Sequence, residues 1–179
     1  ILVDNRSLQV RNEVIPDLVR RISVRALSVG ADGVIFLEPS RVADFRATFY
    51  NPDGNPTFCG NGGRCASRLA YLMGMVGPRM RVETTRMVHD ATVEGERVQF
   101  SMPPALRLRT GLKLSVDDQA LEAASIDTGV PHAVVFKEVP HSESIAEMGR
   151  KVRSHFELGQ EGANANFVKL LPDGRLKVR

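Results

Sequence analysis

The stretch Asn51-Pro52-Asp53-Gly54-Asn55-Pro56-Thr57-Phe58-Cys59-Gly60-Asn61-Gly62-Gly63-Arg64-Cys65 decides how the chain is read. Its first six residues are all turn formers, and the glycine-rich run from Cys59 follows almost at once, so the backbone bends twice. Behind it, residues 64–73 place apolar side chains at helical spacing until Gly74, which predicts a helix fed by a glycine loop. Bare amides in such a loop converge on an anion, and the positive end of the helix dipole adds to them, so a carboxylate or phosphate suits the site. A cysteine at its mouth sits where the same field favours the thiolate. From the loop alone Cys59 is either a base or nucleophile or a small buried hydrophobe, whereas Cys65, inside the helix, reads as a buried structural residue. The loop does not match the phosphate-binding pattern, because Arg64-Cys65 stands where Lys-Ser/Thr would be. The spacing of the two cysteines is not that of a zinc site, and no histidine lies close in sequence.

Outward from this loop, the preceding residues predict a strand at 1–3, a helix at 16–24 opened by Pro16, and strands at 33–37 and 44–50. Downstream, 80–85, 91–93 and 97–102 read as strands with a turn at Glu94-Gly95-Glu96, and Pro103-Pro104 marks a domain boundary. Residues 105–119 read as a linker, followed by a strand at 133–136, a helix at 145–154 and strands at 165–171 and 175–179. A weak internal repeat sets Gly30-Ala31-Asp32-Gly33-Val34-Ile35-Phe36 beside Gly162-Ala163-Asn164-Ala165-Asn166-Phe167-Val168, each after a strand and a helix. Carried into the second copy, the interval from Gly30 to Cys59 runs past Arg179, so an equivalent of the Cys59 loop is expected beyond these residues.

Composition sets the bounds. The 179 residues are 42% apolar and 25% charged, with a net charge of +3 and no Trp. No segment approaches the roughly 20 apolar residues that span a bilayer, and no basic run interleaves with aromatics, which argues against nucleic acid and membrane partners. Two cysteines in a chain with a normal apolar fraction fit a reduced, cytoplasmic setting. Ile1 in place of Met suggests that the natural N-terminus lies upstream, and no signal peptide is visible.

Asn51-Pro52-Asp53-Gly54 followed by Cys59-Gly60-Asn61-Gly62-Gly63-Arg64-Cys65 resembles the signature of diaminopimelate epimerases, Asn-x-Asp-Gly then Cys-Gly-Asn-Gly-x-Arg-Cys. The likeness continues, in the family's order, in the runs from Leu2 to Arg6, Gly30 to Gly33, Thr128 to Val135 and Glu161 to Val168. It implies an α+β fold of two pseudo-symmetric α/β domains, 1–104 and 105–179, the second incomplete. It also implies a cofactor-independent isomerase that interconverts LL- and meso-diaminopimelate in lysine and peptidoglycan precursor biosynthesis, using two opposed thiols and no pyridoxal phosphate. By position, Cys59 matches the first thiol, and Gly60 and Asn61 match amides that hold the α-carboxylate. Asn51 and Asn164 match asparagines that hydrogen-bond the substrate, and His132 matches a histidine near the thiols. No cofactor and no metal are expected; the partner is the small-molecule substrate, and a homodimer is compatible with the resemblance.

Three departures stand beside the likeness. The family's opening segment lies outside the chain, Val130 stands where many members carry asparagine, and the second cysteine is expected beyond Arg179. The 179 residues alone are therefore expected to be inactive. The rival readings are a proline or hydroxyproline racemase, which typically carries His in place of Asn61, a thiol-free isomerase of the same fold, and a non-catalytic ligand-binding module. His89, His141 and His155 match nothing assignable.

Overall fold

The computed structural model describes residues 1–137, 142–159 and 162–179. They form two compact units, Ile1–Pro103 and Pro104–Arg179, each with its own sheet. In the first unit, β1 (Leu2–Asp4), β2 (Val34–Glu38), β3 (Phe45–Tyr50), β5 (Arg79–Glu83), β6 (Val88–Glu94) and β7 (Arg97–Phe100) lie in that spatial order, and the short β4 (Pro56–Thr57) also pairs with β3.

β2 is buried along its whole length, as its Val-Ile-Phe-Leu run demands of a central strand covered on both faces. One face packs against α1 (Ile15–Ile22) through Ile15, Val19, Val34 and Phe36. The other carries a larger core of Ile35, Leu37, Phe45, Ala47, Met80 and Val82, on which α2 (Gly60–Leu72) is laid through Ala66 and Ala70. Gly62, Gly63, Ala66, Ser67 and Ala70 form the buried face of α2, and their small volume lets the helix axis approach the sheet.

The second unit is a five-stranded sheet ordered β12 (Leu176–Val178), β11 (Asn164–Leu170), β10 (Pro131–Phe136), β9 (Gln119–Asp127) and β8 (Leu106–Val116). Helix α3 (Ser142–Arg153) contributes Val152 to a core with Leu114, Leu121, Ala133, Val135 and Phe167. The expected linker at 105–119 is instead strand β8, the start of a long hairpin. Its turn is Asp117-Asp118, both with positive φ, as a two-residue hairpin loop of matching twist requires.

The two units share one winding, at the start of the first and after the β8–β9 hairpin in the second. β1 runs through α1 into β2, parallel to it, and β2 returns antiparallel as β3; β10 runs through α3 into the parallel β11, which returns as β12. In each copy a glycine in the left-handed region ends the connection, Gly30 at φ 74° and Gly162 at φ 67°. The next amide then bonds back to the helix end, Ala31 N–H to Ser23 O and Ala163 N–H to Arg153 O.

Candidate active site

The glycine loop and the helix it feeds are one element. Cys59 is the N-cap of α2, with extended backbone (φ −142°, ψ 106°), and its Sγ accepts the Gly62 N–H at 3.2 Å. The first intrahelical bond is Gly63 N–H to Cys59 O, at 2.9 Å. Gly60 and Asn61 therefore present first-turn amides that the helix itself does not use. These N–H groups and the helix dipole favour an anion bound beside Sγ. Cys59 is half-buried.

Cys65, expected to be buried and structural, is exposed. The buried face of α2 runs through Gly62, Gly63, Ala66, Ser67 and Ala70, which turns position 65 outward with Arg64. Ser67, one turn on from Gly63, is the buried residue that donates to the Gly63 carbonyl, at 2.8 Å.

Beneath the loop lies a residue that sequence reasoning left unassigned. His89 is fully buried and stacked between two phenylalanines, Phe58 at 5.2 Å and Phe100 at 4.7 Å between ring centroids. Its Nδ1 is 2.6 Å from Ser101 O, which only accepts, so Nδ1 carries the proton; Nε2 faces the Thr84 hydroxyl at 3.0 Å. Phe58 is the residue before Cys59, and the Phe100 ring is so close to Gly63 that a Cβ there would lie 2.4 Å from it. Met102 occupies the corresponding space at Gly60, its sulfur 2.7 Å from where a Cβ would be. The glycines thus serve close packing from below as much as amide exposure. The sequence reading began this strand at 91 and so left position 89 off it; on β6 His89 shares the inward face with Ala91 and Val93.

Asn51 sits at the end of β3, where a turn leads into β4. Asn51 N–H donates to Asn55 O and Gly54 N–H to Asn51 O, both at 2.9 Å, so these turn bonds run through the Asn51 backbone and do not depend on its amide side chain. Gly54, at φ 86°, is pressed against α1: a Cβ would lie 2.7 Å from both Pro16 O and the Arg20 guanidinium, and Arg20 donates to Asp53 O at 3.0 Å.

In the second unit the parallel pairing of β10 with β11 sets His132 directly opposite Asn164 and so brings these two candidates to one face of the sheet. Asn164 is exposed and its Oδ1 accepts from Arg153 at 3.2 Å, which fixes the amide's orientation and turns its NH2 away from the arginine. His132 is partly buried, and its Nδ1 is met by Asn166 Nδ2 at 3.2 Å. Asn166 was not singled out from the sequence; its signal was that it lies two residues beyond Asn164 on the same strand. His155 caps a single 3-10 turn, His141 lies outside the described residues, and Glu161 of the matching run does too. Among the described residues no group of three His, Cys, Asp or Glu side chains is placed to hold a metal, and no helix is long and apolar enough to cross a membrane.

The family model for diaminopimelate epimerase matches residues 1–107. The diaminopimelate epimerase of Chlorobaculum tepidum is 36% identical across 100% of the chain and 69% of its own length; that of Aquifex aeolicus is 35% identical across 100% of the chain and 68% of its length. Among solved structures, a hydroxyproline epimerase from Agrobacterium vitis superposes with a TM-score of 0.72 at 17% identity, covering 97% of this chain and 58% of that one. A probable proline racemase from Agrobacterium radiobacter gives 0.66 at 18%, over 97% and 60%. At such identities the superpositions establish the fold, two α/β units of the epimerase type, while the sequence matches establish kinship. The chain belongs to the diaminopimelate epimerase family, a family of isomerases.

Proposed function

We propose that Cys59 is one of two acid–base thiols in an epimerase that inverts an α-carbon of diaminopimelate between the LL and meso forms, in the branch that supplies lysine. The observation that carries this is the placement of Cys59 Sγ at the start of α2, hydrogen-bonded by Gly62 N–H, with the Gly60 and Asn61 amides beside it.

In the reaction the Cys59 thiolate takes the α-proton from one face. The electron pair of the broken C–H bond passes into the α-carboxylate, whose growing charge is met by the Gly60 and Asn61 amides, an electrostatic device aimed at the transition state. A second thiol on the opposite face returns a proton to carbon, and the reverse direction exchanges the roles. Cys59 and Cys65 are the chain's only cysteines, and Cys65 faces outward on α2, so residues 1–179 supply one such thiol. Asn51 and Asn164 read the distal amino and carboxylate groups, which an amide recognises with donor and acceptor together, and His132 tunes the thiols. No pyridoxal phosphate takes part. On this reading the 179 residues alone do not epimerise, and measurable turnover by them would overturn the two-thiol scheme.

The test is exchange of the α-proton of LL-diaminopimelate in heavy water by the whole protein, with any residues encoded beyond these, beside a Cys59→Ala variant and a proline control. Deuterium entering diaminopimelate, and no longer entering it in the variant, supports the proposal. Incorporation into proline would favour the racemase reading that the two superposed structures keep open, although Asn61, where those racemases typically carry His, argues for diaminopimelate.

A further inference from the structure

The proton on His132 is placed by its neighbours. Asn166 lies on the same face of the second sheet as Asn164 and His132, and its Nδ2 is within reach of three groups: Asn164 O at 2.9 Å, Ala133 O at 3.1 Å and His132 Nδ1 at 3.2 Å. Two of these are backbone carbonyls, which only accept. An amide oxygen turned toward them would meet two like dipoles, so the group that faces them is the NH2, which has two hydrogens and no acceptor capacity. The imidazole nitrogen it meets must then offer a lone pair, because a proton on Nδ1 would set donor against donor.

We propose that Asn166 is a positioning residue that holds His132 in the tautomer bearing its proton on Nε2. The nitrogen away from Asn166 then carries an N–H, so His132 addresses its surroundings as a hydrogen-bond donor, the chemistry that recognises a carboxylate oxygen or a thiolate sulfur rather than a proton to be removed. Such control of tautomer by the partner of the other ring nitrogen is a general property of functional histidines. The inference rests on the reading in which His132 takes part in the reaction.

The experiment observes the ring nitrogens of His132 by NMR in the full chain labelled with 15N-histidine at neutral pH, with the signals identified by their loss in His132→Gln. The unsubstituted chain should show one tautomer, protonated at Nε2 and bare at Nδ1. Asn166→Asp, which replaces the donor by an acceptor, should move the proton to Nδ1; Asn166→Ala, which supplies neither, should produce a mixture and carries the test if the Asp variant fails to fold. In the whole protein, Asn166→Asp should lower kcat for α-proton exchange on the order of 100-fold, the usual contribution of a correctly protonated acid–base group, with KM little changed. A proton on Nδ1 in the unsubstituted chain, or the same tautomer in all three proteins, overturns the inference. Full exchange by His132→Gln would instead remove His132 from the reaction, a failure of the functional reading that the NMR result distinguishes.

Discussion

Cys59 holds two positions at once, the N-cap of a helix and the mouth of an anion-binding loop, and substitutions separate them. Cys59→Ser keeps an acceptor for Gly62 N–H, whereas Cys59→Ala removes it; loss of a capping group costs about 1 kcal/mol. Thermal melts should therefore place the serine variant above the alanine variant, while exchange assays find neither active. Equal melting of the two would show that the cap bond does not support α2. His89 is the core counterpart: filling the gap between Phe58 and Phe100 and bonded at both ring nitrogens, it should cost about 3 kcal/mol on replacement by alanine, seen as a lower denaturant midpoint. At this scale the glycine run opening a helix was legible, because turn formers followed by glycines and then a helical apolar period leave few local conformations. The exposure of Cys65 was not, since an apolar label says nothing about which arc of a helix meets the sheet. That arc is chosen by the smallest side chains, Gly62, Gly63, Ala66, Ser67 and Ala70.

Among the elements, side chains reinforce the parallel pairing of β3 and β5. Arg46 and Glu83 are register partners and form an ion pair at 2.9 Å, and Ser40 donates to the other oxygen of Glu83 at 2.5 Å. The Arg46 guanidinium first, and then the Ser40 hydroxyl, hold the Glu83 carboxyl below its ordinary range. A carboxylate with a depressed folded value stabilises the protein above the unfolded range, and that contribution is lost as pH falls through the folded value. Glu83→Gln should thus cost up to about 1 kcal/mol near neutrality, the ceiling for a partly solvated pair. The gap from the unsubstituted chain should close in acid; melts across pH check this, and a gap that persists in acid would assign the loss to packing.

The two connection glycines give a second contrast. A Cβ at Gly162 would lie 2.5 Å from Arg153 O, against 3.2 Å from Arg25 Cα at Gly30. Alanine should destabilise at both sites because φ is positive, by more than about 1 kcal/mol at Gly162, where backbone blocks it as well. Strands and helices with a clean period were readable beforehand. β8 was not, because its alternation of Leu106, Leu108 and Leu112 is broken by register shifts near Arg109 and by Gly111 in the left-handed region.

For the whole molecule, each unit carries its own core among the described residues: the clusters around Leu37 and Phe36 belong to Ile1–Pro103, and that around Leu114 belongs to Pro104–Arg179. Residues 1–103 expressed alone should therefore unfold cooperatively when followed by circular dichroism, and a transition without cooperativity would show that this core is insufficient. The repeat was visible in sequence only as two short runs around Gly30 and Gly162, because what the copies share is winding and a backbone conformation, which many side chains satisfy. The outward turn of Cys65 bears on how the purified protein ages. With one thiol on the surface and the other partly sheltered by its amide, a sample kept in air should join into covalent pairs through Cys65, doubling in mass on a non-reducing gel while the Cys59 loop keeps its shape.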